Sequence, residues 1–452
     1  MSILSKITTG VAGLALLGIG GYAVAFIPTP LSTGIAPLTT VVSPESVTRN
    51  IVCAGDVVGH EGDSASISRI NSVARSVAGG DVTANLAAAT GDNGAVITRN
   101  GDTLLVAATE SDAVHSEVAT GYLATECGDP LNEQWLIGGS TTTGRDTILT
   151  ISNGSDVEAR IDLDIWGSTG LVDAPGSKGI VIPAKSQRSY SVAGFVPDEE
   201  SPAIHLVSNG AAVWATLQMT VVRGLVAGGL DRIGPVTDPT TTVDFPVLHV
   251  PAEESIGAVL SDSSYSDIVA ALRFLVPGET DASVTITLDP YSDGEPQVVS
   301  ATIPAGATLD IPLADLVPGD WAISVTSDQP ILAAARVGFH DVESGITDVA
   351  WSSAAPAQVG NASVVAPSHA SLGLHNPSDK DAVVTLHIGG VDTEVTVPGH
   401  GNYLTTVEAG LVTVTSTSEV SNSLFVSTPS GIATLRGLVA PIDAGSVLVV
   451  SG

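Results

Sequence analysis

The sequence predicts an all-β chain, with tandem immunoglobulin-like antiparallel β-sandwich domains following an N-terminal transmembrane helix. Three observations carry that reading. An alternating strand followed by a second strand ending in aliphatic-Pro occurs three times; short β-like stretches bounded by Gly, Pro, Asn and Asp fill most of the remainder; and Ile7 to Ile27 is an uncharged run of 21 positions. At 452 residues the chain is too long for one hydrophobic core, and about 100 to 200 residues per domain gives three or four domains.

Residues 1–27 read as a signal-anchor. At about 1.5 Å per helical residue the uncharged run is long enough to cross a hydrocarbon core of roughly 30 Å. Lys6 precedes it and no charge follows until Glu45, which places Met1 in the cytoplasm and everything after Pro28 outside the cell membrane. A cleaved signal peptide is the alternative: Ala23-Val24-Ala25 offers a small-x-small site, and five glycines between Gly10 and Gly21 weaken a permanent helix. Cleavage near Ala25 would give a secreted protein, and both outcomes leave the folded part extracytoplasmic.

Residues 28–44 are rich in Pro, Thr and Ser without charge and suit a linker. Residues 45–132 hold both cysteines, a β-like stretch at Thr103 to Ala107, and turn signals at Gly91-Asp92-Asn93-Gly94 and Asn100-Gly101-Asp102, the marks of a small β unit. Ser64 to Val77 fits one short helix as an alternative, with Ile67, Ile70, Ala74 and Val77 at helical spacing. In an oxidising compartment Cys53 and Cys127 are expected to pair. Closing a loop of that length stabilises the folded state by about 4 kcal/mol in the chain-entropy model.

Three repeats follow, over 135–235, 244–346 and 361–450. Their opening strands are Ala159 to Ile165, Ala282 to Leu288 and Ala382 to Ile388. In the first, Ile161, Leu163 and Ile165 face one way and Arg160, Asp162 and Asp164 the other, so a second sheet must cover the apolar face. The second strands end at Ile182-Pro183, Ile303-Pro304 and Val397-Pro398, where the missing proline N–H costs no ladder bond. Next come Ile204, Leu206 and Ser208; Ile323, Val325 and Ser327; and Val412, Val414 and Ser416. The uncharged stretch Ser352 to Gly360 and another near Pro235 to Thr242 read as linkers, so the expected arrangement is a modular rod.

Composition excludes some functions. With 16 Lys and Arg against 48 Asp and Glu, the formal charge of −32 repels phosphate backbones, and nucleic acid is not a partner. Gly139-Ser-Thr-Thr-Thr-Gly-Arg145 has the glycine spacing of a phosphate loop, but it lacks the lysine and precedes a strand-like stretch, so no nucleotide is assigned. His369, His375, His387 and His400 have no carboxylate pair placed to complete a zinc site. Asp289 to Glu295 offers oxygen donors without EF-hand spacing and reads as a turn, while Asp162 and Asp164 read as a solvated face.

No nucleophile elbow, Cys/His pair or zinc-protease motif occurs, so no catalytic, cofactor-binding or metal-binding residue is assigned and no cofactor is implied. Trp166, Trp214 and Trp321 sit in strand-like stretches and read as core. Trp135 and Trp351, near domain edges, are the candidates for a partner surface.

Cys127, the stretch Trp135-Leu-Ile-Gly-Gly-Ser-Thr-Thr-Thr-Gly144, the Asn153-Gly-Ser turn and the Ile182-Pro183 strand end together resemble an uncharacterised family of exported actinobacterial proteins with an N-terminal signal-anchor and tandem β-sandwich repeats. The resemblance implies a cell-envelope setting and brings no established activity. The expectation is a non-catalytic structural or interaction protein whose partner is an envelope component or membrane protein. The alternatives are an enzyme or accessory subunit acting on an envelope glycan, and a secreted glycan- or solute-binding protein.

Overall fold

The computed structural model describes residues 38–42, 50–60, 66–99, 105–236, 238–313, 316–439 and 447–451. The run Ile7 to Ile27, most of the 28–44 linker and the Asn100-Gly101-Asp102 turn lie outside them. Among the described residues no helix is long and apolar enough to cross a membrane. They are overwhelmingly strand. The chain divides into two units, Met1–Val47 with Ile442–Gly452, and Thr48–Pro441. In the first, Leu38–Val42 pairs antiparallel with Val447–Ser451. Everything below concerns the second.

The threefold pattern in the sequence is a threefold pattern of pairing. Ala159 lies opposite Ile182, Ala282 opposite Ile303, and Ala382 opposite Val397, so each aliphatic-Pro end is the antiparallel partner of the first residue of its alternating strand. Each repeat has an outer sheet built on that alternating strand and an inner sheet built on the strand before it: Arg145–Asn153, Ala271–Leu275 and Ala370–His375. In the second and third repeats one long strand, Gly319–His340 or Gly410–Thr428, belongs to both sheets. In the first it is broken into Ala203–Gly210 and Trp214–Arg223.

Two turns share a further device. Asn153 donates to the carbonyls of Val157, Ile182 and Pro183 and accepts from the Ser155 N–H and hydroxyl; Asn376 does the same with Lys380, Val397, Pro398 and Ser378. One side chain thus ties the turn to the aliphatic-Pro strand end and satisfies three backbone acceptors.

Outer strands alternate between buried and exposed positions, as in Ala159–Gly167, whereas inner strands such as Trp214–Arg223 are buried almost throughout. Two-sided burial requires a second covering layer, and the neighbouring repeats supply it. The core of the first repeat takes in Leu275, Leu332, Ala334, Val349 and Trp351 from the second. That of the second takes in Phe425 and Ile432 from the third, and that of the third takes in Ala124 from the cysteine-bearing unit. The series is therefore not a row of independent cores.

Four hairpins make these junctions. Their last strands, Thr120–Glu126, Val226–Ile233, Thr347–Ser353 and Gly431–Arg436, pack against one another in a closed ring. At its centre is Asp348, 0% exposed. Its Oδ1 accepts the Leu230 N–H at 2.9 Å, and its Oδ2 accepts those of Tyr122 at 2.9 Å and Ile432 at 3.0 Å. Glycine makes the room: a Cβ on Gly121 or Gly431 would stand 2.3 or 1.9 Å from an Asp348 carboxylate oxygen. Burial pushes the Asp348 carboxyl up, and the N–H donors from the three neighbouring strands and from Val349 oppose that.

The cysteine-bearing unit enters the ring through Ala107–His115 and Thr120–Glu126. Cys53 and Cys127 are joined as a disulfide, as expected. Beside it Glu110, also 0% exposed, accepts from the Gly55 N–H, from Arg75 at 2.6 Å and from Arg232 of the first repeat at 3.3 Å. The stretch that also fitted a helix forms two strands, Ile67–Asn71 and Ala74–Ala78, the second paired with Ala107–His115. Ladder pairing, with Ile67 opposite His60 and Val77 opposite Ala108, outweighs a short helical periodicity there.

Replacing Asp348 by Asn removes one acceptor and turns an amide NH₂ toward a backbone N–H. The expected result is a loss of about 3 kcal/mol or more in urea unfolding of the full-length protein. An unchanged midpoint would show that Asp348 does not hold the ring.

Candidate functional site

The inner sheets carry isolated arginines in otherwise apolar strands. In Ala271–Leu275, Leu272 and Phe274 enter the core of the second repeat, so strand alternation turns Arg273 to the opposite face, toward the first repeat. Arg336 lies between Ala335 and Val337 of the same core and emerges likewise. Arg145 and Arg223 come from the first repeat. Four of the chain's twelve arginines thus meet at one junction.

Two carboxylates hold most of this charge. Asp310 accepts from Arg273 at 2.8 and 3.0 Å, and Arg273 also donates to the carbonyls of Gly139 and Glu200. Burial alone would raise the Asp310 carboxyl, but the charge and hydrogen bonds of Arg273, with Arg336 beyond, hold it below the usual carboxylate value. Asp267 pairs with Arg223 at 2.5 Å and Arg145 at 3.0 Å. Arg223 also lies 4.5 Å over the Tyr265 ring. Arg336 is left 4.0 Å from Asp310. Burial and then repulsion from Arg273 lower its guanidinium, against the pull of Asp310, Asp267 and Glu200.

Between these groups lies a cavity of about 310 Å³. Gly139, Ser140, Thr142, Arg145, Glu200 and Met219 line it from the first repeat, and Ser263, Ser266, Asp267, Arg336 and Trp351 from the second. The Gly139 to Arg145 loop therefore does face a cavity, although the strand Arg145–Asn153 follows it and no helix does. A neighbouring cavity of about 230 Å³ shares Arg145 and includes His60 and Asp146, 3.7 Å apart; burial raises the Asp146 carboxyl against the opposing charge of His60.

Neither tryptophan expected at a partner surface is at a surface. Trp135, 7% exposed, stacks on His205 at 4.1 Å and packs against Trp166 at 5.4 Å. Trp351, 3% exposed, has the guanidinium groups of Arg273 and Arg336 at 4.5 and 5.6 Å from its ring. Trp135 is buried within its own repeat by the pairing of its strand with Ala203–Gly210, and Trp351 by the ring closure, which buries what a linear series would leave at a domain edge. Trp214 and Trp321 are buried, and Trp166 is half-buried. The stretch read as a linker after Trp351 is held by a bridge between Asp244 and Ala355.

The histidines serve separate partners. His375 meets Asn402 at 2.7 Å and Asp244 at 3.6 Å, His387 meets Asp392 at 2.6 Å, and His400 meets Asp379 at 2.6 Å. Asp289 accepts from Asn402, while Asp162 and Asp164 take Gly179 N–H and Lys178 on the exposed face. Among the described residues, Cys53, Glu110 and Cys127 stand at ligand spacing for a metal. The sulfurs are bonded to each other and the carboxylate is occupied by two arginines, so this set does not fit one.

Ring and cavity share one wall. The Trp351 N–H donates to Asp231 Oδ2 at 2.6 Å, and the Thr434 hydroxyl donates to the Trp351 carbonyl at 2.8 Å. Asp231 Oδ1 is buried with no hydrogen-bond partner. Burial pushes Asp231 up to about 7, opposed by the N–H groups of Trp351 and Arg232.

A family of unknown function (DUF5719) matches residues 82–372, more than half of the chain, and the chain belongs to that family. No curated protein is significantly similar to it in sequence. Among solved structures, Thermotoga maritima 1070 is 17% identical with a TM-score of 0.22, over 26% of this chain and 95% of that one. The Anabaena sensory rhodopsin transducer is 25% identical with a TM-score of 0.16, over 22% and 96%. The chicken CNTN1 FN1–FN3 domains are 11% identical with a TM-score of 0.12, over 72% and 100%. At these TM-scores none carries an argument about this chain.

A carboxyl whose folded value lies above its unfolded one binds a proton on folding. Asp231 therefore contributes stability below about pH 4 that is lost as pH rises toward 7, at up to about 1.4 kcal/mol per pH unit. Full-length protein is expected to melt higher at pH 5 than at pH 7.5, and Asp231→Asn to show a smaller difference. Equal differences would remove Asp231 as a source of the dependence.

Proposed function

We propose that this protein is a non-catalytic structural and interaction protein of the cell envelope, held at the membrane by its N-terminal segment. Its repeats are then immunoglobulin-like sandwiches closed into a platform, not strung out as a rod. The observation that carries this reading is the buried Cys53–Cys127 disulfide, which suits an oxidising extracytoplasmic compartment. The charge of −32 suits a soluble surface facing such a compartment. The ring supports a display role, because it fixes four β units against one another and so sets the spacing of whatever surfaces bind the envelope partner.

A second reading, a solute-binding protein, is favoured by the cavity between the first two repeats, since pockets of about 300 Å³ and more at such junctions are where small ligands bind.

Intact mass measurement after cell fractionation, with and without reduction, tests the main reading. Full-length chain in the membrane fraction, with both cysteines resistant to alkylation until reduced, is the expected result. A mature chain beginning near Phe26 in the medium would replace the anchored protein with a secreted one. Free thiols in a cytoplasmic fraction, or fragments released from a labelled envelope polymer by the purified protein, would overturn the reading.

A further inference from the structure

We propose that the cavity between the first and second repeats binds a small oxyanion, a carboxylate, sulfate or phosphate group carried by an extracytoplasmic solute. This rests on the solute-binding reading and gives the solute a chemical class.

The first support is an unmatched donor set. Arg336 lines the cavity with its side chain 13% exposed, and its Nε–H is buried without an acceptor. Its remaining contacts are distant: the Val269 carbonyl at 3.5 Å, and Asp310 Oδ2 at 4.0 Å, an oxygen already engaged by Arg273. The Trp351 indole N–H, on the same cavity wall, is likewise buried without an acceptor. A buried donor left unpaired is costly, and both residues border a cavity with room for an acceptor.

The second support is charge. Asp267 is matched by Arg145 and Arg223 and Asp310 by Arg273; with Glu200 also on the cavity wall, four arginines meet three carboxylates, and the surplus falls on Arg336, whose ion-pair contact, with Asp310, is 4.0 Å long. In a chain of charge −32 such a surplus is local, and the rest of the molecule repels anions at long range. Screening within roughly 8 Å at physiological ionic strength lets a small anion reach it. A planar fork such as that of Arg336 matches an oxyanion, and the hydroxyls of Ser140 and Thr142, 3.0 Å apart, add polar partners on the facing wall.

Full-length protein is titrated with succinate, inorganic phosphate, sulfate and neutral trehalose at ionic strength fixed with NaCl, following melting temperature and heat of binding. Sulfate and phosphate stabilise folded proteins generally through exclusion from the surface, so the deciding quantity is a difference from a variant. Ser266→Glu adds a carboxylate at an exposed position of the cavity wall and leaves the core untouched. Arg336→Gln removes the cation. A saturable response of the wild type to an oxyanion, weakened at least about tenfold by Ser266→Glu and abolished by Arg336→Gln, is the expected result; the stronger of succinate and phosphate identifies the acid group. Ser266→Glu alone decides if Arg336→Gln fails to fold. Equal responses of wild type and Ser266→Glu would overturn the site. Saturable binding of trehalose alone would overturn the anion class while keeping the solute reading, and no saturable response to any probe would remove both.

Discussion

A single buried carboxylate solves the problem that a ring of β-hairpins creates. Each ring strand is the last of its inner sheet, and an edge strand leaves backbone donors without ladder partners. Bringing four such edges together without water would strand those donors. Asp348 accepts the amides of Tyr122, Leu230 and Ile432 and so links three strands to its own. Desolvating the carboxylate is unfavourable; charge-assisted bonds to fixed backbone donors offset it, and Gly121 and Gly431 keep the space open.

Closure has consequences for every layer outside the ring. Once the hairpins meet, each inner sheet lies between its own outer sheet and a neighbouring repeat. Strands such as Trp214–Arg223 must then be buried on both faces. Polar side chains on the second face have no solvent to turn to, and they pair across junctions. Glu110 with Arg232 joins the disulfide-bearing unit to the first repeat, while Arg273 with the carbonyls of Gly139 and Glu200 joins the second repeat to the first. The cavity is where this cross-junction matching is incomplete. Asp231 connects the two levels, because it holds the backbone of Trp351, whose side chain forms part of the cavity wall.

Much of this architecture was legible in the residues. Ala159 with Ile182, Ala282 with Ile303 and Ala382 with Val397 are register partners, and the recurrence of aliphatic-Pro after an alternating strand carried that information directly. The disulfide followed from counting cysteines. The ring did not, because closure depends on contacts such as those of Asp348 with Ile432, Leu230 and Tyr122, 84 to 226 residues apart, that leave no local periodicity. Its traces were single residues: an Asp in the apolar stretch Thr347-Asp-Val-Ala-Trp351, and glycines before Tyr122, Leu230 and Ile432. The arginines of the cavity left a similar mark, since a charge inside Ala271-Leu-Arg-Phe-Leu275 or Ala334-Ala-Arg-Val337 contradicts a one-sided core. Trp351 drew attention as a domain-edge aromatic, and the edge it marked is a junction, not a surface.

Amide hydrogen exchange resolved to single residues tests the central role of Asp348 most directly. If one carboxylate holds the ring together, the amides of Tyr122, Leu230 and Ile432 should be among the slowest in the protein and should exchange together, with the free energy of global unfolding. Exchange of the three at widely different rates, each with the local opening of its own hairpin, would contradict a ring held by one shared acceptor.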